Sequence, residues 1–134
     1  MNKTFAAAVI LVGATSFAAA QSMNAPIMTA PPPGKTVTKY YKQSVYDQAK
    51  DKIGTVDDVI ISDNGQVTGL IIGVGGFLGA GEKDVAVPFG AIKHTEKNGK
   101  VYLTMDTTKD ALKAAPGFKY DRQKTAWVPD NSSK

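Results

Sequence analysis

The stretch from Ile53 to Gly73, IGTVDDVIISDNGQVTGLIIG, decides the fold. Its first part, residues 53–61, is rich in β-branched side chains, which favour strands because they pack well on a pleated surface. The pair Asn64-Gly65 follows, and Asn-Gly is typical of a tight hairpin turn because both residues tolerate positive φ angles. Residues 66–73 then return as a second apolar strand. This stretch therefore predicts a β-hairpin.

Further short strands are predicted on both sides of this hairpin. They cover residues 37–46, 85–89, 91–95 and 100–105. A second Asn-Gly pair, Asn98-Gly99, joins the last two as another hairpin. Alternation of large side chains assigns the inward face of these strands to Val85, Val87, Val101 and Leu103, and the opposite face to Tyr102.

One short helix is predicted after the last of these strands. Thr107 can cap it, with Asp110 three residues further on as in a capping box, and Pro116-Gly117 ends it. Tight turns between five or six short strands favour a small barrel, because closure removes exposed strand edges. We therefore expect a mainly β fold: a small antiparallel barrel of five or six strands with one short C-terminal helix.

The N-terminal residues have the organisation of a secretory signal. Lys3 supplies a positive charge, residues 5–17 form an uncharged, mostly apolar run, and Ala18-Ala19-Ala20 supplies small residues for cleavage. The run is shorter than the roughly 20 apolar residues of a membrane span. We therefore predict cleavage after Ala20 and a periplasmic or secreted mature protein.

The composition divides the chain into four predicted segments. They are a signal peptide over residues 1–20, a flexible Pro-rich linker over 21–36, a barrel domain over 37–120 and a polar C-terminal tail over 121–134. The linker assignment depends on its four prolines, which lack backbone donors and favour extended polyproline II geometry.

The charge and the cysteine content narrow the classes of partner. The formal charge of +4 falls to +3 when Lys3 leaves with the signal. This charge permits weak contact with an anionic membrane surface but is too small to indicate a nucleic-acid partner. The chain has no cysteine, so it forms no disulfide and offers no thiolate to a metal or a substrate.

Residues with catalytic chemistry are few. His94 is the single histidine, and its place on a predicted strand favours packing over catalysis. Asp57 and Asp58 are neighbours on a strand, so we expect them to point to opposite faces and not to act together. We expect one of the two to mark a bulge or to bond a turn, and the other to be solvated. The other acidic residues are scattered along the chain. We therefore expect no catalytic residue, no cofactor, no metal and no enzymatic activity.

The Gly-rich stretch from Gly73 to Lys83 fits neither nucleotide-binding motif. Leu78 stands where a dinucleotide fingerprint needs glycine, and the residue after Lys83 is not Ser or Thr as in a phosphate-binding loop. Its glycines favour an irregular connection between strands. We therefore predict an interaction loop here, made of Gly75, Gly76, Phe77, Leu78, Gly79, Gly81, Glu82 and Lys83. Phe77 and Leu78 either form a docking patch or plug one end of the barrel.

The same region resembles a known family. The strings Gly75-Gly76-Phe77-Leu78-Gly79, Gly81-Glu82-Lys83 and Val85-Ala86-Val87-Pro88-Phe89 are similar to those of small exported PRC-barrel proteins. The resemblance runs from about Tyr40 to Met105. The family includes the cytoplasmic part of the photosynthetic reaction-centre H subunit and a ribosome-maturation factor. The resemblance implies a compact β-barrel that serves as an assembly or docking module, and it carries over no catalytic residue.

The function expected from these observations is an exported, non-enzymatic interaction or assembly module with an unidentified protein partner, such as an envelope or stress adaptor. Two alternatives stay open. One is a barrel that binds a small ligand or an ion. The other, by analogy with the reaction-centre H subunit, is an accessory subunit of a membrane electron-transfer or photosynthetic complex.

The predicted signal gives a first test. The exported protein should begin at Gln21, because Ala18-Ala19-Ala20 supplies the small residues that a signal peptidase requires. N-terminal sequencing or intact mass of exported material measures this directly. An exported protein that retains Met1 would contradict the prediction.

Overall fold

The computed structural model describes Gly13 and residues 24–77 and 81–131. The chain forms two units, Met1–Pro33 and Gly34–Lys134. In the first unit the described residues are exposed and lie in neither helix nor strand. Apart from Gly13, the predicted signal segment and its cleavage site lie outside the described residues. Across the described ranges, no helix has both the length and the apolarity needed to span a membrane.

The second unit consists mainly of β-strands. Its described residues form β1 (Ser44–Tyr46), β2 (Lys52–Ile61), β3 (Val67–Phe77), β4 (Gly81–Pro88), β5 (Ile92–Lys97), β6 (Lys100–Met105), β7 (Phe118–Asp121) and β8 (Ala126–Pro129). They also form a short α-helix, α1 (Lys109–Ala114), and two 3-10 helices, Val37–Lys39 and Phe89–Ala91. The mainly β fold with little helix is thus confirmed.

The eight strands form one mixed sheet in the order β5-β6-β1-β2-β3-β4-β7-β8. The neighbouring strands pair antiparallel, except that β1 and β6 pair parallel. The expectation of five or six strands, all antiparallel and closed into a barrel, is therefore wrong in these details. After the second 3-10 helix, the chain forms the β5–β6 hairpin, and β6 lies beside β1. Because β6 runs in the same direction as β1, these two strands pair parallel. Among the described strands, β5 and β8 remain edges.

The two predicted Asn-Gly hairpins are confirmed. Ser62 to Gln66 connects β2 and β3, and the N–H of Gly65 donates to the carbonyl of Ser62 at 2.8 Å. Gly65 has a φ of 86°, in the region that glycine enters most easily. Between β5 and β6, Asn98 and Gly99 have φ angles of 54° and 73°. Positive φ at both central residues is typical of a two-residue hairpin turn.

Two predicted element boundaries are wrong. The strand expected over residues 37–46 is reduced to Ser44–Tyr46, because the chain first makes the 3-10 turn Val37–Lys39. The cap of α1 is Thr108 and not Thr107, since the N–H of Ala111 donates to Thr108 Oγ1 at 3.1 Å. This bond satisfies one of the backbone donors that a helix start leaves without an intrahelical partner.

The strands β1 to β6 share one apolar core. It consists of Tyr40, Val45, Ile53, Val56, Leu70, Ile72, Val74, Val85, Val87, Ile92, Leu103 and Leu112. The inward facing predicted for Val85, Val87 and Leu103 is confirmed by their burial, and Val101 packs against the same core. Leu112 brings α1 onto this core, so the short helix is stabilised by packing more than by its length.

Strands β7 and β8 extend the sheet beyond residue 120. They form an antiparallel hairpin from Phe118↔Pro129 to Asp121↔Ala126, and the pair Asp84↔Phe118 joins the hairpin to β4. β8 thus lies within the segment 121–134, for which the sequence analysis predicted a polar tail and no strand.

The core register gives a second test. Leu103 is fully buried, so Leu103→Asp would place an unpaired charge in the core and should cost about 4 kcal/mol or more of unfolding free energy. Tyr102→Asp is the matched control, because its side chain lies on the opposite face and is 36% exposed. Thermal melts of the two variants should rank Leu103→Asp as the more damaging. The reverse ranking would contradict the register.

Candidate interaction surface

The predicted interaction loop is the tip of the β3–β4 hairpin. Gly75 to Phe77 ends β3 and Gly81 to Lys83 begins β4, with Phe77 paired to Gly81. The expectation that this whole stretch connects strands is therefore wrong, because the two strands continue into it. Leu78 and Gly79 lie outside the described residues. The choice between docking patch and plug for Phe77 and Leu78 stays open.

Lys83 anchors the beginning of β4 to the helix. Its Nζ donates to the backbone carbonyl of Lys113, in the last turn of α1, at 2.7 Å. Carbonyls at the end of a helix have no intrahelical partner, so a lysine is a favourable donor there. Lys83, one of the predicted site residues, therefore has a structural role in positioning the hairpin.

A β-bulge in β2 places Asp57 and Asp58 on the same side of the sheet. The register between β2 and β3 shifts between Val56 and Asp58, which leaves Asp57 as the extra residue. Asp58 pairs with Ile71, while Asp57 Oδ2 lies where a side chain on Gly73 would start. Ile71 and Gly73 alternate with core residues of β3, so both lie on the outer face. The expectation of opposite faces is therefore wrong.

Three carboxylates meet on this outer face. One oxygen each from Asp57, Glu82 and Asp84 lies within 4.8 Å of the others, and we call this group the carboxylate cluster. Gly73 makes room for it, because a Cβ there would overlap Asp57 Oδ2 and lie 2.7 Å from Glu82 Oε2. Lys42 Nζ lies 3.6 Å from Asp57 Oδ1 and supplies one nearby positive charge.

The carboxylate cluster favours a bound proton on Asp84. Burial, first of all, and then the hydrogen bond and negative charge of Asp57 and the charge of Glu82 raise the pKa of Asp84 from 3.8 to about 7. Asp84 Oδ1 is buried and has no hydrogen-bond partner in the described part of the chain. Two close carboxylates seldom both ionise, so the proton of Asp84 lies in its hydrogen bond to Asp57.

These three carboxylates are also the described residues that could hold a metal ion. Oxygen ligands suit hard cations such as Ca²⁺ or Mg²⁺. Glu82 is exposed, however, and the shared proton already accounts for the closeness of Asp57 and Asp84. The acidic residues are less scattered than the sequence suggested, while the absence of a metal and of a cofactor stays a prediction.

An open groove lies beside the carboxylate cluster, between the outer face of β2–β4 and the β7–β8 hairpin. We call it the hairpin groove, and its volume is about 690 Å³. Its lining is Asp58, Val59, Ile60, Ile61, Asp63, Ile71, Ala86, Phe118, Tyr120, Thr125, Ala126 and Trp127. Most of these side chains are apolar, which is typical of a binding surface.

Asp58 holds the hairpin over the sheet. Its Oδ2 accepts a hydrogen bond from Trp127 Nε1 at 2.8 Å, and its Oδ1 accepts from the N–H of Val59 at 2.8 Å. The ring of Trp127 in turn packs edge-on against Tyr120, with centroids 5.8 Å apart. A charge-assisted bond from an indole fixes the angle of this hairpin more firmly than apolar contact alone.

The rim of the groove leaves large apolar side chains in solvent. Ile61 is 57% exposed and Tyr120 is 47% exposed, whereas Ile71 on the floor is 1% exposed. This surface could not be expected from the sequence once residues 121–134 were interpreted as a polar tail. The sequence does contain a pattern typical of a β-hairpin here. Phe118 and Tyr120 alternate with polar residues, and Trp127-Val128 follows a short polar turn.

His94 is packed, as the sequence analysis favoured. Its side chain is 5% exposed, and its ring lies 5.4 Å from that of Tyr40. His94 Nε2 is 3.8 Å from Glu96 Oε1, while Glu96 also bonds to Lys39 Nζ. His94 of β5 therefore packs at the border of the core, against the residue that follows the 3-10 helix Val37–Lys39.

The described residues form a β-rich domain whose outer face carries an open, mostly apolar groove. The chain belongs to the PRC-barrel domain family, whose model matches residues 34–112. Domains of this family serve in general as protein-interaction or assembly modules. The comparison with curated proteins gave no match. β7 and β8 lie after the matched segment, so the hairpin groove is formed partly by residues outside the family domain.

The proton on Asp84 gives a third test. The pKa of Asp84 is about 7 in the folded protein, above its ordinary value of 3.8. The stabilising contribution of neutral Asp84 is therefore complete below pH 3.8 and is lost as the pH rises to about 7. Asp84→Asn stays neutral, so its unfolding free energy should depend less on pH across this window. Urea unfolding from pH 4 to pH 7 measures this.

The matched control is Asp63→Asn, since Asp63 is an exposed carboxylate in the β2–β3 turn. This variant should keep the pH dependence of the unchanged protein. If Asp84→Asn also kept it, the shared proton would be excluded.

Proposed function

We propose that this protein is an exported, non-enzymatic interaction module that docks a protein partner in the cell envelope. Membership of the PRC-barrel family supports the docking role, because interaction and assembly are its general function. The signal-like order of Lys3, the apolar run 5–17 and Ala18-Ala19-Ala20 supports export. In this proposal the mature protein acts as an adaptor in the periplasm or outside the cell.

The exposed rim of the hairpin groove is the observation that carries the proposal. Ile61 and Tyr120 stand in solvent above a floor that contains the buried Ile71. Covering apolar surface stabilises a complex by about 25 cal/mol per Å², so a partner side chain inserted here removes unfavourable exposure on both molecules. Tyrosine is also among the residues that dominate binding energies at interfaces.

The charge around the groove selects the partner. Asp63 lies on its lining, and the carboxylate cluster of Asp57, Glu82 and Asp84 lies on the same outer face of the sheet. A segment with an apolar side chain flanked by lysine or arginine is complementary to this surface. Because Asp58 already accepts the hydrogen bond from Trp127, the exposed carboxylates of Asp63 and Glu82 are the ones that a basic segment meets.

The predicted interaction loop joins this surface at one end. Glu82 belongs both to the loop of Gly75–Lys83 and to the carboxylate cluster. In our proposal the end of the β3–β4 hairpin is therefore the outer limit of the docking surface. The anchoring of Lys83 on α1 keeps this end in place.

Site-specific photo-crosslinking in the producing cell tests the proposal. A photoreactive residue at position 61 or 120 should give a discrete adduct with one protein of the envelope fraction, because both positions line the groove. The matched control is position 41. Tyr41 is comparably exposed, at 46%, but does not line the groove.

The identified partner then allows a quantitative measurement. Trp127 is the single tryptophan and lies in the groove, so its fluorescence reports occupancy. Ile61→Asp should weaken binding by about tenfold or more, as expected for an interface anchor worth about 1.4 kcal/mol. Equal adducts at positions 41, 61 and 120, or unchanged affinity of the Ile61→Asp variant, would reject the groove as the docking surface.

A further inference from the structure

A second surface, separate from the hairpin groove, lies on the outer side of β5, β6 and β1. Leu103 of β6 points into the core, so its neighbours Tyr102 and Thr104 face outward. Directly opposite residues share a face, and Thr95 is opposite Tyr102 while Lys93 is opposite Thr104. The hairpin end continues this face with the pair Lys97↔Lys100.

β1 and the turn after it complete the surface. Tyr46 pairs with Thr104 of β6, and its ring lies 6.3 Å from the ring of Tyr102 at an angle of 53°. A shallow concavity of about 420 Å³ opens between the two rings, and Lys50 and Lys97 stand on its border. We call this surface the lysine–tyrosine face. Its members are Tyr46, Lys50, Lys93, Thr95, Lys97, Lys100, Tyr102 and Thr104.

The charge of this face is one-sided. Its paired positions hold lysine, threonine and tyrosine but no carboxylate. Glu96 points to the other side, where it bonds to Lys39, and Asp47 accepts the N–H of Asp51 within the β1–β2 turn. Across the described residues, the four lysines of this face take part in no ion pair.

The end of the β5–β6 hairpin places two like charges opposite each other. Lys97 and Lys100 are directly opposite each other, and like charges in such a pair destabilise a sheet. A layer of negative charge placed against this end would relieve their repulsion. These positive charges therefore do not stabilise the fold by pairing, and they complement an anionic partner.

The spread of these charges indicates the kind of partner. Lys93 and Lys97 are about 13 Å apart along β5, at roughly 3.3 Å per residue. The width over β5, β6 and β1 is about 10 Å, at roughly 4.8 Å per strand spacing. The charges therefore cover a patch and do not follow a line. A plane of charged headgroups matches a patch, whereas a single-stranded polyanion matches a groove that follows its backbone.

We propose that the lysine–tyrosine face docks the protein on the surface of an anionic phospholipid bilayer. The lysine ammonium groups meet the lipid phosphates, while the aliphatic parts of their side chains lie along the interface. Tyr46 and Tyr102 suit the headgroup layer, because tyrosine carries an apolar ring with a polar end and is enriched there. This docking leaves the hairpin groove available and does not depend on the function proposed for it.

Vesicle co-sedimentation of the full chain tests the proposal. The probes are vesicles of phosphatidylcholine alone and of phosphatidylcholine with phosphatidylglycerol. The anionic vesicles should bind more protein, and raising the ionic strength from about 0.01 M to about 1 M should abolish the difference, because the screening length falls from about 30 Å to about 3 Å. Binding to the neutral vesicles measures any contribution of the apolar N-terminal segment.

Two charge-reversed variants locate the contact. Lys97→Glu with Lys100→Glu should weaken binding to anionic vesicles at least about 25-fold, because each lysine near such a surface contributes about fivefold. The matched control is Lys119→Glu with Lys124→Glu, which changes the net charge equally. Both of its positions are exposed and belong to the β7–β8 hairpin region. This control should lose at most about fivefold.

Three results would overturn the proposal. They are equal binding to neutral and anionic vesicles, an equal loss in both double variants, and binding to oligothymidylate that is tighter than binding to the anionic vesicles. The last result would assign the face to a single-stranded nucleic acid. Melting temperatures of both double variants near that of the unchanged protein ensure that the comparison concerns binding and not folding. If either double variant has a clearly lower melting temperature, the test is the loss of anionic-vesicle binding by the unchanged protein when the ionic strength is raised.

Discussion

The whole arrangement depends on β3 being buried on both of its faces. Leu70, Ile72 and Val74 pack into the core, while Ile71, on the opposite face, is only 1% exposed. A strand of this kind must be covered twice. The core strands cover one side, and the β7–β8 hairpin covers part of the other. The groove is the portion of the second side that the hairpin leaves open.

The sequence predicted those parts of the fold whose signals are local. Runs of β-branched residues predicted β2 and β3, and the Asn98-Gly99 turn predicted the β5–β6 hairpin. It could not predict the parallel pair of β1 and β6, because that pairing joins segments distant in the chain. β7 and β8 were also missed. Each has four residues, and their backbone pairing with the rest of the sheet consists of a single residue pair with β4.

The candidate site could be predicted only in part, because its chemistry depends on an irregularity. Strict alternation assigned Asp57 and Asp58 to opposite faces, and the bulge in β2 overrides that rule. The net charge also did not indicate where charged residues cluster in the fold. The formal charge of +4 hides a carboxylate cluster around Asp84 and a separate face of lysines around Tyr102. Registers between strands created both groupings, and a linear pattern does not contain them.

The recess at Gly73 has a consequence for how this domain can change during evolution. A methyl group at position 73 would overlap the carboxylate of Asp57, whereas Glu82 is exposed and its longer side chain can turn away. A side chain at position 73 therefore requires the Asp57 carboxylate to turn away or residue 57 to become smaller. Positions 57 and 73 are thus expected to vary together among descendants of this sequence. A chain that keeps the acidic bulge is therefore expected to keep a glycine at position 73.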